Sequence, residues 1–292
     1  THYTDITGEN HWVKKQMDLY NEEAISKGVR VIPSCGYDSL PSDIGTFFAV
    51  NQMNKSVKKV EVFHSASGGA SGGTIESIFL MGKLPKEMRD PFLLNPQESV
   101  SDFQRKKSAD SLSIKWIEEA QKWSGLGLFS VANTRVVRRS AALMEMNQKS
   151  YGNNFVFKEY GAYASKNSAR IASIGLILGF LIISSPLKWL VRRFLPKPGE
   201  GPSVEVQNNG WFKGVFVAEA EDGEKQVSTI YGDGDPGYKS TSKMLCESAL
   251  TIALSDNLPG GENFGGFLTP ATGLGIPLIE RLKKADIKFE VV

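Results

Sequence analysis

Cysteine is scarce in this sequence: Cys35 and Cys246 are the two in 292 residues, and they lie far apart. That excludes a disulfide scaffold. With no secretory apolar segment at the start, it points to a reducing, cytoplasmic setting. Histidine occurs three times, as His2, His11 and His64, at no metal-ligand spacing with either cysteine, so no metal site is expected. Charge of one sign is missing too. Lysine and arginine number 34 against 32 aspartates and glutamates, which argues against a nucleic-acid partner. Disorder along the whole chain is excluded, because 41% of the residues are hydrophobic and 23% charged. The length fits about two domains. The sequence opens at Thr1 inside a strand-like run, as a piece cut from a longer protein is expected to.

What is present begins with a local pattern. His2 to Ile6 reads as a strand, residues 10–27 as an amphipathic helix built on Trp12, Val13, Met17, Leu19 and Tyr20, and Val29 to Pro33 as a second strand. Gly28 is placed to end the helix. Strand, helix and strand with short connections make a βαβ unit, hence a parallel sheet. Ligands sit outside the carboxyl ends of such strands, and both Asp5-Ile-Thr-Gly-Glu9 and Ser34-Cys-Gly-Tyr-Asp38 lie there. A helix follows at about 41–53, with Ser39 as N-cap, Pro41 in the first turn and Asp43 favouring the positive helix end.

Residues 58–67 alternate polar and apolar, the mark of an antiparallel sheet with one wet face. A helix is expected over 74–83 and another around 111–123, with strands at 126–140 and 154–165. A hairpin at 211–219 and 225–231, helices at 238–255 and 271–284, and a strand from Ile287 complete the chain.

Several segments carry candidate chemistry. Asp5 and Glu9 form a carboxylate pair suited to acid–base work, or a helix cap. Cys35 is a candidate nucleophile by location, against a buried neutral thiol. His64 falls on the wet side of its strand and reads as structural. The small residues Gly69, Ser71, Gly72, Gly73 and Thr74 either cradle a ligand with backbone N–H groups or permit tight packing. Gly232-Asp-Gly-Asp-Pro-Gly237 is a literal Gly-x-Gly-x-x-Gly, but two aspartates would repel a pyrophosphate, so it reads as a turn and helix start. Helix starts at a cleft can still touch substrate, which keeps Tyr238 as a candidate.

Thr1-His-Tyr-Thr-Asp-Ile-Thr-Gly-Glu9 and Pro33-Ser-Cys-Gly-Tyr-Asp-Ser-Leu-Pro-Ser-Asp-Ile-Gly45 resemble paired hallmarks of the saccharopine dehydrogenase-like family. That family includes the bacterial trans-acting enoyl reductases. Further similar stretches are Ser67 to Thr74, Lys197 to Ser203, Gly234 to Tyr238, and Gly265 through Thr272 to Phe289. The resemblance implies a nicotinamide cofactor, NAD or NADP, in the full-length protein. It also implies that the phosphate-binding start of the dinucleotide domain precedes Thr1. The stretch given is then expected to hold no cofactor and to be inactive by itself.

Residues 171–195 stand apart: an almost wholly apolar run is followed by Lys188, Trp189, Arg192 and Arg193. Three readings stay open, a buried core helix, an interfacial anchor on a membrane surface, and a true span. An exposed insert would also favour a homodimer.

The fold class expected is α/β, a partial Rossmann-like parallel sheet joined to a mixed, largely antiparallel α+β second domain. Residues 1–52, with 238–292 packing back on them, would form the first domain, and 53–237 a substrate and dimerisation domain. Gly8, Glu9, Ser34, Cys35, Gly36 and Asp38 would line the cofactor side, with Gly69, Ser71, Gly72, Gly73, Thr74 and Tyr238 on the substrate side. The function expected is NAD(P)-dependent reduction of a C=C or C=N bond in a lipid-like small molecule. The alternative is a non-catalytic, membrane- or lipid-droplet-associated module of the same fold.

Overall fold

The computed structural model describes residues 1–81, 85–96 and 99–292. The chain opens with β1 (Tyr3–Thr4), α1 (Asn10–Ser26) and β2 (Arg30–Ile32). Gly28 ends α1 at φ +60°, and the N–H of Val29 returns to the carbonyl of Ala24 at 2.8 Å. β1 and β2 run parallel, with Tyr3 facing Val31 and Thr4 facing Ile32.

α2 (Leu40–Met53) follows, with Pro41 in its first turn. One expectation there is corrected and one holds. Ser39 precedes α2 but makes no side-chain cap, because its hydroxyl donates to Asn133 Oδ1 at 3.1 Å. Asp43 lies in the first turn of α2, as expected. It is fully buried, and its carboxylate accepts the Ala271 N–H at 2.8 Å and the Ser140 hydroxyl.

β3 (Val57–Ser67) leads to α3 (Gly72–Met81), α4 (Asp102–Lys107), β4 (Trp116–Ile117) and β5 (Lys122–Gly125). The expected α3 reaches residues 82–83, which lie outside the described residues. No helix forms at 111–123: Trp116 pairs across the strands with Trp123, their rings 5.9 Å apart. Cross-strand aromatic packing outweighs the helical pattern there.

The strand expected at 126–140 is instead largely the helix α5 (Ser130–Met146). Its burial is nearly continuous and includes three arginines. Arg135 and Arg138 pair with Asp110 at 2.9 and 3.0 Å, and Arg139 donates to the carbonyl of Leu94 at 2.6 Å. A helix buried on all sides leaves no amphipathic period, and paired arginines inside it read falsely as a wet strand face.

β6 (Val156–Tyr163), α6 (Lys166–Ile183), α7 (Lys188–Arg192) and α8 (Val204–Asn209) come next. The hairpin β7 (Trp211–Ala220) and β8 (Lys225–Asp233) stands where expected. A π-helical turn, Pro236–Ser240, runs into α9 (Thr241–Leu254). β9 (Gly266–Phe267), α10 (Pro270–Gly273), α11 (Gly275–Lys284) and β10 (Ile287–Val291) close the chain. The single helix expected at 271–284 is therefore two, broken at Gly275 with φ +55°.

The strands form a three-stranded parallel sheet, β1-β2-β9, and a seven-stranded mixed sheet, β10-β8-β7-β3-β6-β5-β4. The α/β expectation holds. β3 corrects its antiparallel reading on one side: it pairs antiparallel with β7 but parallel with β6. The main core packs Ile44, Phe48 and Ala49 of α2 with Phe212 and Phe216 of β7, Ile230 of β8 and Leu278 of α11. α2 thus fixes the parallel sheet against the larger one, and a cavity opens beside it.

α6 is not a core helix. Of its residues only Ala169 and Ser173 are buried, while Ile171 is 71% exposed and Leu181 57%. By length and composition it is apolar enough to cross a membrane.

Candidate functional site

A cavity of about 820 Å³ lies where the carboxyl ends of β1 and β2 meet the face of the seven-stranded sheet. Its first wall is the pair of loops after the parallel strands, which bring in Asp5 to Glu9 and Gly36 to Asp38. The other walls are His64 of β3, Glu159 of β6, the loop from Gly68 to Thr74 and the entry to α5 at Gly127 to Ser130. This is the position at which open parallel sheets receive ligands.

Asp5 holds the first wall together. Its Oδ1 accepts from the N–H groups of Thr7 at 2.9 Å and Ser34 at 3.1 Å, and its Oδ2 from the Tyr3 hydroxyl at 2.9 Å. Ser34 adds a hydroxyl bond to the carbonyl of Thr7 at 2.8 Å. The two loops are thus tied to each other before any ligand arrives. Ser34 and Cys35 are both buried behind the wall. The Cys35 thiol sits 3.3 Å from the carbonyl of Ile32, and burial pushes it far up, so it stays a protonated thiol.

Glu9 and Asp38 face the cavity and differ sharply. Burial pushes the Glu9 carboxyl up, but hydrogen bonds from Ser77, Thr7 and its own backbone N–H, with His11 nearby, hold it below the ordinary value. Asp38 has no such donors: among the described residues, no hydrogen bond reaches its carboxyl. Its Oδ2 lies 3.3 Å from where a side chain on Gly8 would begin. Burial first, and the charge of Glu9 second, raise Asp38 to about 7.

A second polar group lies at the cavity floor. His64 Nε2 is 2.9 Å from the Ser42 hydroxyl and 3.8 Å from Glu159 Oε2. Asn133 donates to Glu159 Oε1 at 2.8 Å and to Ser42 at 3.3 Å. Burial pushes His64 below its ordinary value, with Glu159 pulling the other way. Sequence reasoning set His64 aside as structural on a wet face and missed Glu159, Asn133 and Ser42. The parallel register, Val62 with Glu159 and His64 with Gly161, puts His64 and Glu159 on one face of the sheet. That parallel pairing is what brings them together, whereas the alternation in β3 predicts antiparallel neighbours.

Of the small-residue loop, Gly69, Ser71, Gly73 and Thr74 line the cavity. Ser71 also caps α3, its hydroxyl accepting the Thr74 N–H at 3.0 Å. Gly72 lies off the cavity, and a side chain there would begin 1.7 Å from the carbonyl of Lys197, so tight packing requires glycine. Tyr238 is also outside the wall: its hydroxyl donates to the carbonyl of Glu200 at 3.1 Å. Asp235 caps the π-helical turn through the N–H groups of Tyr238 and Lys239 at 3.1 and 3.0 Å. Among the described residues there is no group of three or more His, Cys, Asp or Glu that could hold a metal ion.

Comparison with known proteins gives the chemical context. No family model matches the chain. A Mycobacterium tuberculosis protein carrying the trans-acting enoyl reductase name is 30% identical over 99% of this chain and 74% of its own length. Trans-acting enoyl reductases of Mycobacterium leprae and Mycobacterium ulcerans are each 29% identical over 98% of this chain and 73% of their own length. Near-complete coverage at this identity leaves one conclusion: the chain belongs to the trans-acting enoyl reductase family.

Proposed function

We propose that this chain forms the nicotinamide and substrate sides of an NAD(P)H-dependent reductase acting on a carbon–carbon double bond, of the saccharopine dehydrogenase-like kind. One observation carries the reading. In a chain of this family, two loops from neighbouring parallel strands, tied by Asp5, form one wall of a cavity large enough for a reacting pair.

The fit to a nicotinamide is one of shape and polarity. Gly8 and Gly36 leave the strand tips open, and Glu9 and Asp38 supply polar groups beside them. No lysine or arginine lines the cavity among the described residues, so the phosphates of a dinucleotide find no countercharge here. When bound, reduced nicotinamide supplies a hydride. The chain's residues orient the reactants and exclude water, with Leu128, Phe129 and Ala162 as an apolar wall suited to a lipid-like acyl chain.

The test is oxidation of NADH and NADPH by the intact protein with an α,β-unsaturated acyl thioester. Cofactor loss that depends on the double bond is expected. No oxidation of either cofactor across a chain-length series overturns the reading.

The exposed apolar face of α6 favours a membrane surface as a further partner. Lys188, Trp189, Arg192 and Arg193 stand at its end, where headgroups would meet them. Anionic vesicles should carry the protein upward in a density gradient, and Ile174→Asp with Leu178→Asp should abolish it. Equal flotation of both proteins contradicts the anchor.

A further inference from the structure

We infer that Asp38 is the proton donor of the reduction, a catalytic residue that faces the cavity from the loop next to the one carrying Glu9. The inference rests on the reductase reading above and deepens it.

The geometry is that of a divided pair. Both carboxyls face one cavity from adjacent loops. Glu9 takes hydroxyl donors from Thr7 and Ser77, which stabilise the ionised form. Asp38 is half-buried, accepts no hydrogen bond among the described residues, and reaches the cavity. A second negative charge there would be both desolvated and repelled. Two carboxyls whose surroundings drive them apart in this way take the acid and the spectator roles respectively. The Asp38 value of about 7 agrees with that division. The other titratable groups lining the cavity are Asp5 and Glu9 from the loop after β1, Tyr37 from its own loop, His64 from β3, and Glu159 and Tyr163 from β6. No lysine or arginine among the described lining residues offsets the negative charge.

The step balances simply. Reduced nicotinamide held against Gly8 and Gly36 would supply the hydride for the new C–H bond at the β carbon, moving the π electrons toward the α carbon. The Asp38 O–H bond breaks, its proton forms the C–H bond at the α carbon, and its electron pair stays on the carboxylate. Water at the cavity mouth returns the proton. The sum is one nicotinamide oxidised, one proton taken from solvent and one double bond reduced.

Infrared difference spectroscopy on the intact protein reads the acid form without any turnover. Below neutrality, a protonated-carboxyl band is expected in the wild type and lost in Asp38→Asn. In turnover, Asp38→Asn should lower kcat about 100-fold or more. The wild-type rate should fall as pH rises through about 7. Glu9→Gln removes the neighbouring charge, so that limb should move to lower pH, a shift that mere structural damage does not produce. Absence of the band, an unmoved limb in Glu9→Gln, or wild-type kcat in Asp38→Asn each overturns the donor role and leaves the reductase reading standing. No cofactor oxidation by the wild type overturns the reductase reading, and proton delivery with it.

Discussion

The two walls of the cavity bury acid in opposite ways. On the parallel-strand wall, Glu9 is supplied with hydroxyl donors and Asp38 with none, so one is held low and the other raised to about 7. On the floor, Glu159 is held by Asn133 on one oxygen, while its Oε2 finds no hydrogen-bond partner and stands 3.8 Å from His64. Burial alone therefore does not set a carboxyl's state here. At Glu9 the donors from Thr7 and Ser77 outweigh it, whereas at the fully buried Asp43 burial prevails despite the donors and raises the carboxyl to about 7.

The largest effect in this comparison should come from Asp5. It accepts three hydrogen bonds and ties both loops, so Asp5→Ala should cost about 2–4 kcal/mol in denaturant unfolding and weaken reduced-nicotinamide binding. Unchanged stability would mean the loops are held by something else. Next comes the pH dependence of folding. Asp38 titrates higher in the fold than in the unfolded chain, so its contribution is present at low pH and lost as pH rises toward about 7. The slope from this residue is at most about 1.4 kcal/mol per pH unit, and Asp38→Asn should flatten it.

Ser77→Ala should act more gently. It removes one donor to Glu9, raises that carboxyl, and costs about 1 kcal/mol. An unaltered Glu9 titration would break the proposed contrast with Asp38. Smallest on stability is the α6 surface: Ile174→Asp should change unfolding by about 0.5 kcal/mol or less, whatever it does to vesicle binding. A large loss would show that the face is covered.

The parallel wall was legible because its signals are local. The extent of α1, Gly28 at its end and the short apolar strands fix a βαβ unit, and the unit fixes where Glu9 and Asp38 emerge, although of the apolar positions expected to face the core Trp12, Leu19 and Tyr20 are exposed and Val13 is buried. The floor was illegible for the opposite reason. Glu159 and His64 meet through the β3–β6 pairing, nearly a hundred residues apart in sequence. Asn133 sits on α5, whose burial on every side erased its helical period and whose Arg135 and Arg138 pair with Asp110. Gly72 shows a further limit: small residues in a loop look alike whether they face a ligand or, as here, the carbonyl of Lys197.

The most direct measurement is a carboxyl carbon NMR titration of the intact protein, with Asp38 and Glu9 assigned through Asp38→Asn and Glu9→Gln. Two separated transitions are predicted, Asp38 near 7 and Glu9 below the ordinary glutamate range. Both carboxyls titrating together at ordinary values would contradict the account.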